Sequence, residues 1–445
     1  MADSPDQTCT TRKRQRSSDR ISVLPDDIIV RILSFVSMEE AVATSILSKR
    51  WRPLWTLVPI IDLPDFDFDS SDIQELFIEF VRNVLRFNKA VSLEKLRIQC
   101  NPDYASCAHT CICTATERDV QELDIYSFET DTFHLPRDFF NRIKTLKVLK
   151  LGDGVLVDVP SGVSFPNLKT LHLSSVKYTD DPSVANLFSG CVVLEELLIK
   201  RIYSNDGIHM NISISTLKTL SIEYDSGLRD HSFEINAPAL ERLNLKDVIL
   251  RRNYWMFRPV MLVHSPENAN KLLRLFSGVK SLSFTVLNWP NELYRDCNPL
   301  FVNLVRLELN VGLKNWNLLL LFLENSHILQ FLELTLSEGT QNSFGSRYEN
   351  TVTLPKHVPI CFLSSLETVC LRAFEESEHE LQLIEYILTN ARVLKTMTIS
   401  AYDSLLETFL VDEKLSTIPR CSKTCQLEFK CQPYVPTPTP FIPFG

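Results

Sequence analysis

The sequence predicts an α/β chain in which a compact N-terminal unit of three short helices precedes a long stack of strands forming one parallel sheet. Two observations predict it. Helix-start signals crowd into residues 19–56, and from residue 93 one apolar hexamer returns at a nearly constant step. Composition sets the scale: 445 residues, 44% hydrophobic and 23% charged, are too many for one ordinary core and suit a repeat array.

Residues 1–18 are polar, with Arg12, Lys13, Arg14 and Arg16 close together. Such a run reads as a solvated tail more often than as a nuclear import signal. Pro25, Asp26 and Asp27 suit a first helical turn, where proline loses no hydrogen bond and carboxylates meet the positive end of the helix dipole. Ile28, Ile29, Ile32, Leu33, Phe35 and Val36 follow at helical spacing. Ser37-Met38-Glu39-Glu40 has the form of a capping box and predicts a second helix with Ala41, Val42 and Ser45. Ser48 can cap a third helix carrying Lys49, Arg50, Trp51, Leu54 and Trp55, which Pro53 shortens or kinks. Three short helices bury little alone, so their dense apolar content implies a partner surface.

The hexamer is L-x-x-L-x-L, with Val, Ile, Met or Phe allowed at the apolar positions. It starts at Leu93, Val120, Leu146, Leu168, Leu194, Leu217, Leu240, Val279, Leu304, Leu329, Leu366 and Leu394. Most steps are about 22 to 28 residues, the period of leucine-rich repeats. One such hexamer means nothing, but twelve near register predict a solenoid. The second and third apolar residues of each unit point inward from a short strand, and the strands line a concave face. Segments such as Ser183 to Phe188 and Trp316 to Asn325 form the convex side. Two longer gaps are read as a degenerate repeat around Val260 and Leu262 and a polar loop from Ser337 to Asn350. From Gln432 the chain is Pro-rich and favours extended geometry.

The formal charge of −9 argues against nucleic acid, which wants a basic face. The most apolar run, Leu318 to Leu323, is too short to span a bilayer, so no membrane partner is expected. Met1 to Ser22 has no apolar core of a secretory signal, which points to the nucleus, the cytoplasm or both and to reduced thiols for the 12 cysteines. Eleven glycines are few for phosphate-cradling loops, no nucleotide or hydrolase motif is found, and no cofactor is expected. Cys100, Cys107, His109, Cys111 and Cys113 invite a zinc reading, but C-x-H-x-C-x-C is too tight for a structural site. His109 to Arg118 reads as a helix whose cysteines fill apolar space, and no metal is expected.

The N-terminal unit resembles an F-box. The resemblance lies in Asp19-Arg20-Ile21-Ser22-Val23-Leu24-Pro25-Asp26-Asp27-Ile28, Ile32-Leu33-Ser34-Phe35, Ala41 to Ser45, and Leu47-Ser48-Lys49-Arg50-Trp51-Arg52-Pro53-Leu54-Trp55. The C-terminal part is similar to an FBD domain. The matching strings are Pro359-Ile360-Cys361-Phe362-Leu363-Ser364-Ser365-Leu366-Glu367-Thr368-Val369, Glu380 to Leu388, Asn390 to Lys395, and Leu415 to Arg420. Where that family usually has a glycine shortly after the position of Phe374, this chain has Glu375, Glu376 and Ser377. Together these match the plant family of F-box/FBD/LRR-repeat proteins.

The resemblance implies an N-terminal three-helix F-box, a leucine-rich-repeat solenoid with a parallel sheet on the concave face, and a non-catalytic role. The implied role is substrate recognition in an SCF-type ubiquitin ligase. The F-box would bind a Skp-type adaptor, and through it a cullin, by Leu24, Pro25, Ile28, Ile32, Leu33, Val42, Ser45, Leu47, Trp51 and Leu54. The domains are read as a basic tail at 1–18, the F-box at 19–56, repeats at 57–358, the FBD domain at 359–431 and a Pro-rich tail at 432–445.

Strand alternation turns the residues beside each inner pair outward. Arg97, Asp124, Tyr126, Lys150, His172, Lys200, Arg242, Lys246, Arg306, Glu308, Phe331 and Arg372 are the candidate target-binding residues. Their charges are of both signs, which suits an unidentified protein target better than a polyanion. Two alternatives share the architecture: a small-molecule-gated receptor, which a concentrated basic pocket would favour, and a scaffold not assembled into a ligase.

Overall fold

The computed structural model describes residues 21, 23–63, 71–100, 105–127, 132–201, 209–224, 232–249, 266–286, 299–312, 316–337, 354–355, 357–402 and 415–432. The basic tail, the degenerate repeat around Val260, most of the polar loop after Ser337 and the Pro-rich tail beyond Gln432 lie outside them. The chain divides into two compact units, one through Arg97 and one from Ile98.

The first unit opens with helix α1, Asp26–Leu33, with Pro25 as its N-cap and Asp26 and Asp27 in its first turn. Helix α2, Met38–Ala43, starts at the predicted capping box. The Ser37 N–H donates to the Glu40 carboxylate at 3.0 Å and the Glu40 N–H donates to Ser37 Oγ at 3.2 Å. The expected third helix differs. Residues 44–57 hold two 3₁₀ turns, Thr44–Ile46 and Leu54–Leu57, and the Trp51 N–H reaches the Ser48 hydroxyl only at 3.4 Å. Pro53 explains the break: it has no N–H to donate, and its ring would press on the Lys49 carbonyl of a continuing helix. Arg50 braces the unit instead, bonding the Asp26 carboxylate at 2.6 Å and the Leu24 carbonyl. Strand Ile60–Asp62 then pairs in parallel with the start of strand Lys95–Cys100. Helix α3, Ser71–Phe87, connects them, and the buried Asn88 amide after it donates to the Val58 carbonyl at 2.9 Å.

In the second unit the principal strands pair in chain order, each parallel to the next. They are Glu122–Ser127, Val148–Leu151, Thr170–Ser174, Glu196–Arg201, Thr219–Tyr224, Arg242–Ile249, Ser281–Val286, Arg306–Gly312, Phe331–Ser337, Thr368–Arg372, Thr396–Tyr402 and Gln426–Gln432. Every predicted hexamer has become a strand. The inner residues align into two continuous rows, one through Leu197, Leu220 and Leu243 and one through Ile199, Ile222 and Leu245. All of these are buried. The strands Ile60–Asp62 and Gln426–Gln432 carry no hexamer and were not foreseen.

Helices lie on the buried side of this sheet, as expected for Asp181–Gly190 and Trp316–Asn325. The Phe276 ring of helix Pro266–Gly278 stands 5.1 Å from Phe284, and Phe322 stacks at 4.7 Å on Phe301. No repeat could bury its strand alone, so neighbours share these rings. Two short ladders border the main sheet: Phe133–His134 with Val155–Val157 and Lys177–Tyr178, and His209–Ser213 with Ser232–Asn236.

Helix Ala105–Glu117 contains the cysteine cluster. Cys107 and Cys111 are buried, and Cys113 Sγ lies 3.6 Å from His109 Nδ1. Among the described residues no group of three or more His, Cys, Asp or Glu side chains could hold a metal ion. Among them, too, no helix is long and apolar enough to cross a membrane.

Candidate functional sites

The first candidate is the outer surface of the N-terminal unit. Helix α1 has apolar residues on two faces. Ile29 and Leu33 turn inward and are buried, while Ile28 is 47% exposed and Ile32 is 44% exposed. A soluble helix rarely leaves two isoleucines so open without a partner. Leu47 and Pro25 are also exposed, and Leu24, Val42 and Ser45 are partly so. Leu33, Trp51 and Leu54, expected among the adaptor-facing residues, lie inside the unit. They hold the surface rather than form it. Sequence reasoning left out Val23, Ile46 and Leu57, and gave Phe35 and Val36 to the helical stripe, yet all five are exposed. The signal was available: more apolar residues than so small a unit has interior to hide.

The second candidate is the solvent-facing side of the parallel sheet. Strand register sorts the predicted residues into rows. Arg242, Arg306 and Phe331 share the first row, and Asp124, Lys150, His172 and Glu308 share the second. Lys200 and Lys246 lie in a third row on either side of Glu223, and Arg372 lies in register with Thr335, Asn310 and Thr285, beyond a register shift that follows Leu245. Tyr126 stands beside Gly152, where an added Cβ would come within 2.9 Å of the tyrosine Cβ. Arg97 belongs to the first unit and pairs at 3.7 Å with Asp62.

Many charged and polar groups of this face are paired within or between strands. Lys150 meets Glu122 at 3.2 Å, and His172 meets Glu196 at 3.4 Å. Arg306 bonds Glu308 at 2.8 Å while its guanidinium lies 3.6 Å over the Phe331 ring. Arg372 pairs with Glu333, whose hydrogen bond raises the guanidinium pKa. Arginine and aromatic groups held in this way lose little freedom on binding, which is the chemistry of a protein-contact hot spot. At the start of the strands, Glu195 lies 2.8 Å from Lys218 and 2.9 Å from Lys169. Hydrogen bonds from those ammonium groups hold its pKa down at about 2.

Family models match three parts of the chain. A family model of the F-box domain matches residues 21–63, and one of FBD matches residues 354–399. A model described as the LRR repeats of FBD-associated F-box protein At5g56370 matches residues 109–268. The chain is 34% identical to the F-box/FBD/LRR-repeat protein At4g00160 of Arabidopsis thaliana, over 93% of this chain and 94% of that protein. It is 35% identical to the F-box/FBD/LRR-repeat protein At3g52680 of the same plant, with the same coverage.

The chain belongs to the F-box/FBD/LRR-repeat family. In this member the FBD match takes in helix Ile360–Ser364, strand Thr368–Arg372, helix Glu378–Asn390 and the start of strand Thr396–Tyr402. Its glycine-free turn around Phe374 is built with positive φ at Ala373, 51°, and Glu376, 61°. The buried Glu380 carboxylate stabilises that turn by accepting from the N–H groups of Glu375 and Ser377, at 3.1 and 2.9 Å.

Proposed function

We propose that this chain is the target-binding, non-catalytic subunit of an SCF-type ubiquitin ligase. F-box domains generally bind Skp-type adaptors, and the observation that carries the reading is the uncovered apolar surface of the first unit. In this proposal Leu24, Pro25, Ile28, Ile32, Val42, Ser45 and Leu47 contact the adaptor, which recruits a cullin, while Leu33, Trp51 and Leu54 hold them in place. The stacked repeats act as a solenoid whose sheet face grips a protein target through Asp124, Tyr126, Lys150, His172, Lys200, Arg242, Lys246, Arg306, Glu308, Phe331 and Arg372. The interleaved charges of the face suit a protein with complementary patches. The work would take place in the nucleus, the cytoplasm or both.

A pull-down of the full chain with a Skp-type adaptor tests the first half. Binding is expected for the native sequence and its loss for Leu24→Asp combined with Pro25→Ala. A native chain that fails to bind would overturn the ligase reading, and a double variant that still binds would overturn the contact set. For the second half, Arg306→Ala and Phe331→Ala should each weaken target capture in proximity labelling under proteasome block while sparing adaptor binding.

A further inference from the structure

The last strand, Gln426–Gln432, pairs with Thr396–Tyr402 on one side, and among the described residues no strand pairs with its other side. The Gln426 N–H donates to the Lys395 carbonyl at 2.8 Å. In this parallel ladder residues 427, 429 and 431 therefore turn their N–H and C=O groups to the open edge. The apolar row also ends differently here. Met397 is fully buried and Ile399 is 2% exposed, but Phe429, in register with Ile399, is 42% exposed. A strand edge with an exposed aromatic side chain and no proline is a template for another strand.

The order of charges on this strand says which strand fits. Glu428 and Lys430 flank Phe429 and lie on the opposite face of the sheet. Within the chain, Lys430 bonds the Glu428 carboxylate at 3.1 Å, and that carboxylate accepts from the Thr398 hydroxyl at 3.4 Å. An antiparallel second copy can exchange main-chain hydrogen bonds only where edge-facing residues meet edge-facing residues. Phe429 can therefore sit opposite residue 427, 429 or 431 of the other copy. The first register sets Glu428 against Glu428, and the last sets Lys430 against Lys430. Only the middle one sets Glu428 against Lys430 at both ends. It also puts those charges on the non-hydrogen-bonded positions, where Cα atoms are about 4.5 Å apart and side chains come closest.

We infer that the open edge of Gln426–Gln432 is a self-association site, at which two copies of this chain pair antiparallel with Phe429 on the two-fold axis. On one face the two Phe429 rings cover each other, an aromatic cross-strand pair. On the other, the Glu428–Lys430 pair that each chain already makes extends into a ring of four alternating charges. The axis stands perpendicular to the sheet, so the solvent-facing sides of the two copies point the same way and join into one surface. One strand per copy is a small contact, so monomer and dimer should exchange with concentration.

Sedimentation velocity of the full chain tests this, with dimer expected to accumulate between about 1 and 100 μM. Glu428→Lys and Lys430→Glu should each weaken self-association at least about tenfold, because each sets like charges opposite one another twice. An equimolar mixture of the two variants, or the double variant with both reversals, should restore it, which also shows that the altered chains fold. Hydrogen exchange locates the contact: the amides of Leu427, Phe429 and Cys431 should slow as the protein concentration rises. A chain that stays monomeric through about 100 μM would overturn the inference, as would a dimer indifferent to both single reversals. Protection of those three amides that does not change with concentration would overturn it too, because the edge would then be covered within one chain. A double variant that does not dimerise would refute the register.

Discussion

Ile32 and Leu33 are neighbours on helix α1, and truncating each to alanine should produce opposite phenotypes. Leu33 is 3% exposed, so Leu33→Ala leaves a cavity in a small unit and should cost about 2 to 5 kcal/mol of its stability. Ile32 is 44% exposed, which leaves roughly 80 Å² of apolar surface, worth about 2 kcal/mol to a partner that covers it. Alanine keeps part of that area, so Ile32→Ala should cost about 1 to 1.5 kcal/mol of adaptor binding, roughly tenfold in affinity. Its effect on stability should be smaller than that of Leu33→Ala, because nearly half of Ile32 stays in water on folding. Titration calorimetry with a Skp-type adaptor reads the first quantity, and hydrogen exchange of the Asp26–Leu33 amides reads the second. The reasoning is refuted if Ile32→Ala destabilises the helix as much as Leu33→Ala, or if adaptor affinity is indifferent to Ile32.

Four further outcomes are expected. Gly152→Ala places a Cβ 2.9 Å from the Tyr126 Cβ and should lower stability by about 1 to 3 kcal/mol in urea unfolding; an unchanged midpoint would contradict the close packing. Ala373→Gly relieves a left-handed residue at φ 51° and should stabilise the FBD region by a few tenths to about 1 kcal/mol, as seen by exchange of the Glu378–Asn390 helix. Glu195 has a folded pKa of about 2, below the ordinary carboxylate range, so its contribution is present above pH ~4.5 and lost as pH falls toward 2. Glu195→Gln should flatten acid sensitivity in that window, and a side-chain titration near 4.5 in the folded chain would contradict the paired geometry. Burial pushes the Cys191 and Cys361 thiols up to about 12, so at pH 8 both should resist alkylation in the native chain while the exposed Cys421 reacts; labelling of all three at equal rates would count against the packed helix layer.

The repeats were legible because each strand carries its own alternation. Leu171 and Leu173 must face the same way in any extended segment, and twelve such pairs can be buried together only by stacking. The capping box at Ser37 and Glu40 is equally local, since both partners lie within one turn. The small ladders at Phe133–His134 and Lys177–Tyr178 could not be read this way, because two residues have no period. The edge strands Ile60–Asp62 and Gln426–Gln432 also lack the repeat: each has a neighbouring strand on only one side among the described residues, so fewer positions need be apolar.

The sequence by itself determined that the twelve hexamers become strands and which side of each is buried, because that information lies in the spacing of neighbouring residues. Only the tertiary structure decided which half of the apolar N-terminal unit faces water. Helical spacing offers Ile28, Ile29, Ile32 and Leu33 alike as a stripe wider than one contact. Packing against the turn that Pro53 forces on the chain settles that Ile29 and Leu33 go in and Ile28 and Ile32 stay out. That choice depends on contacts between residues some twenty positions apart, which no local pattern encodes.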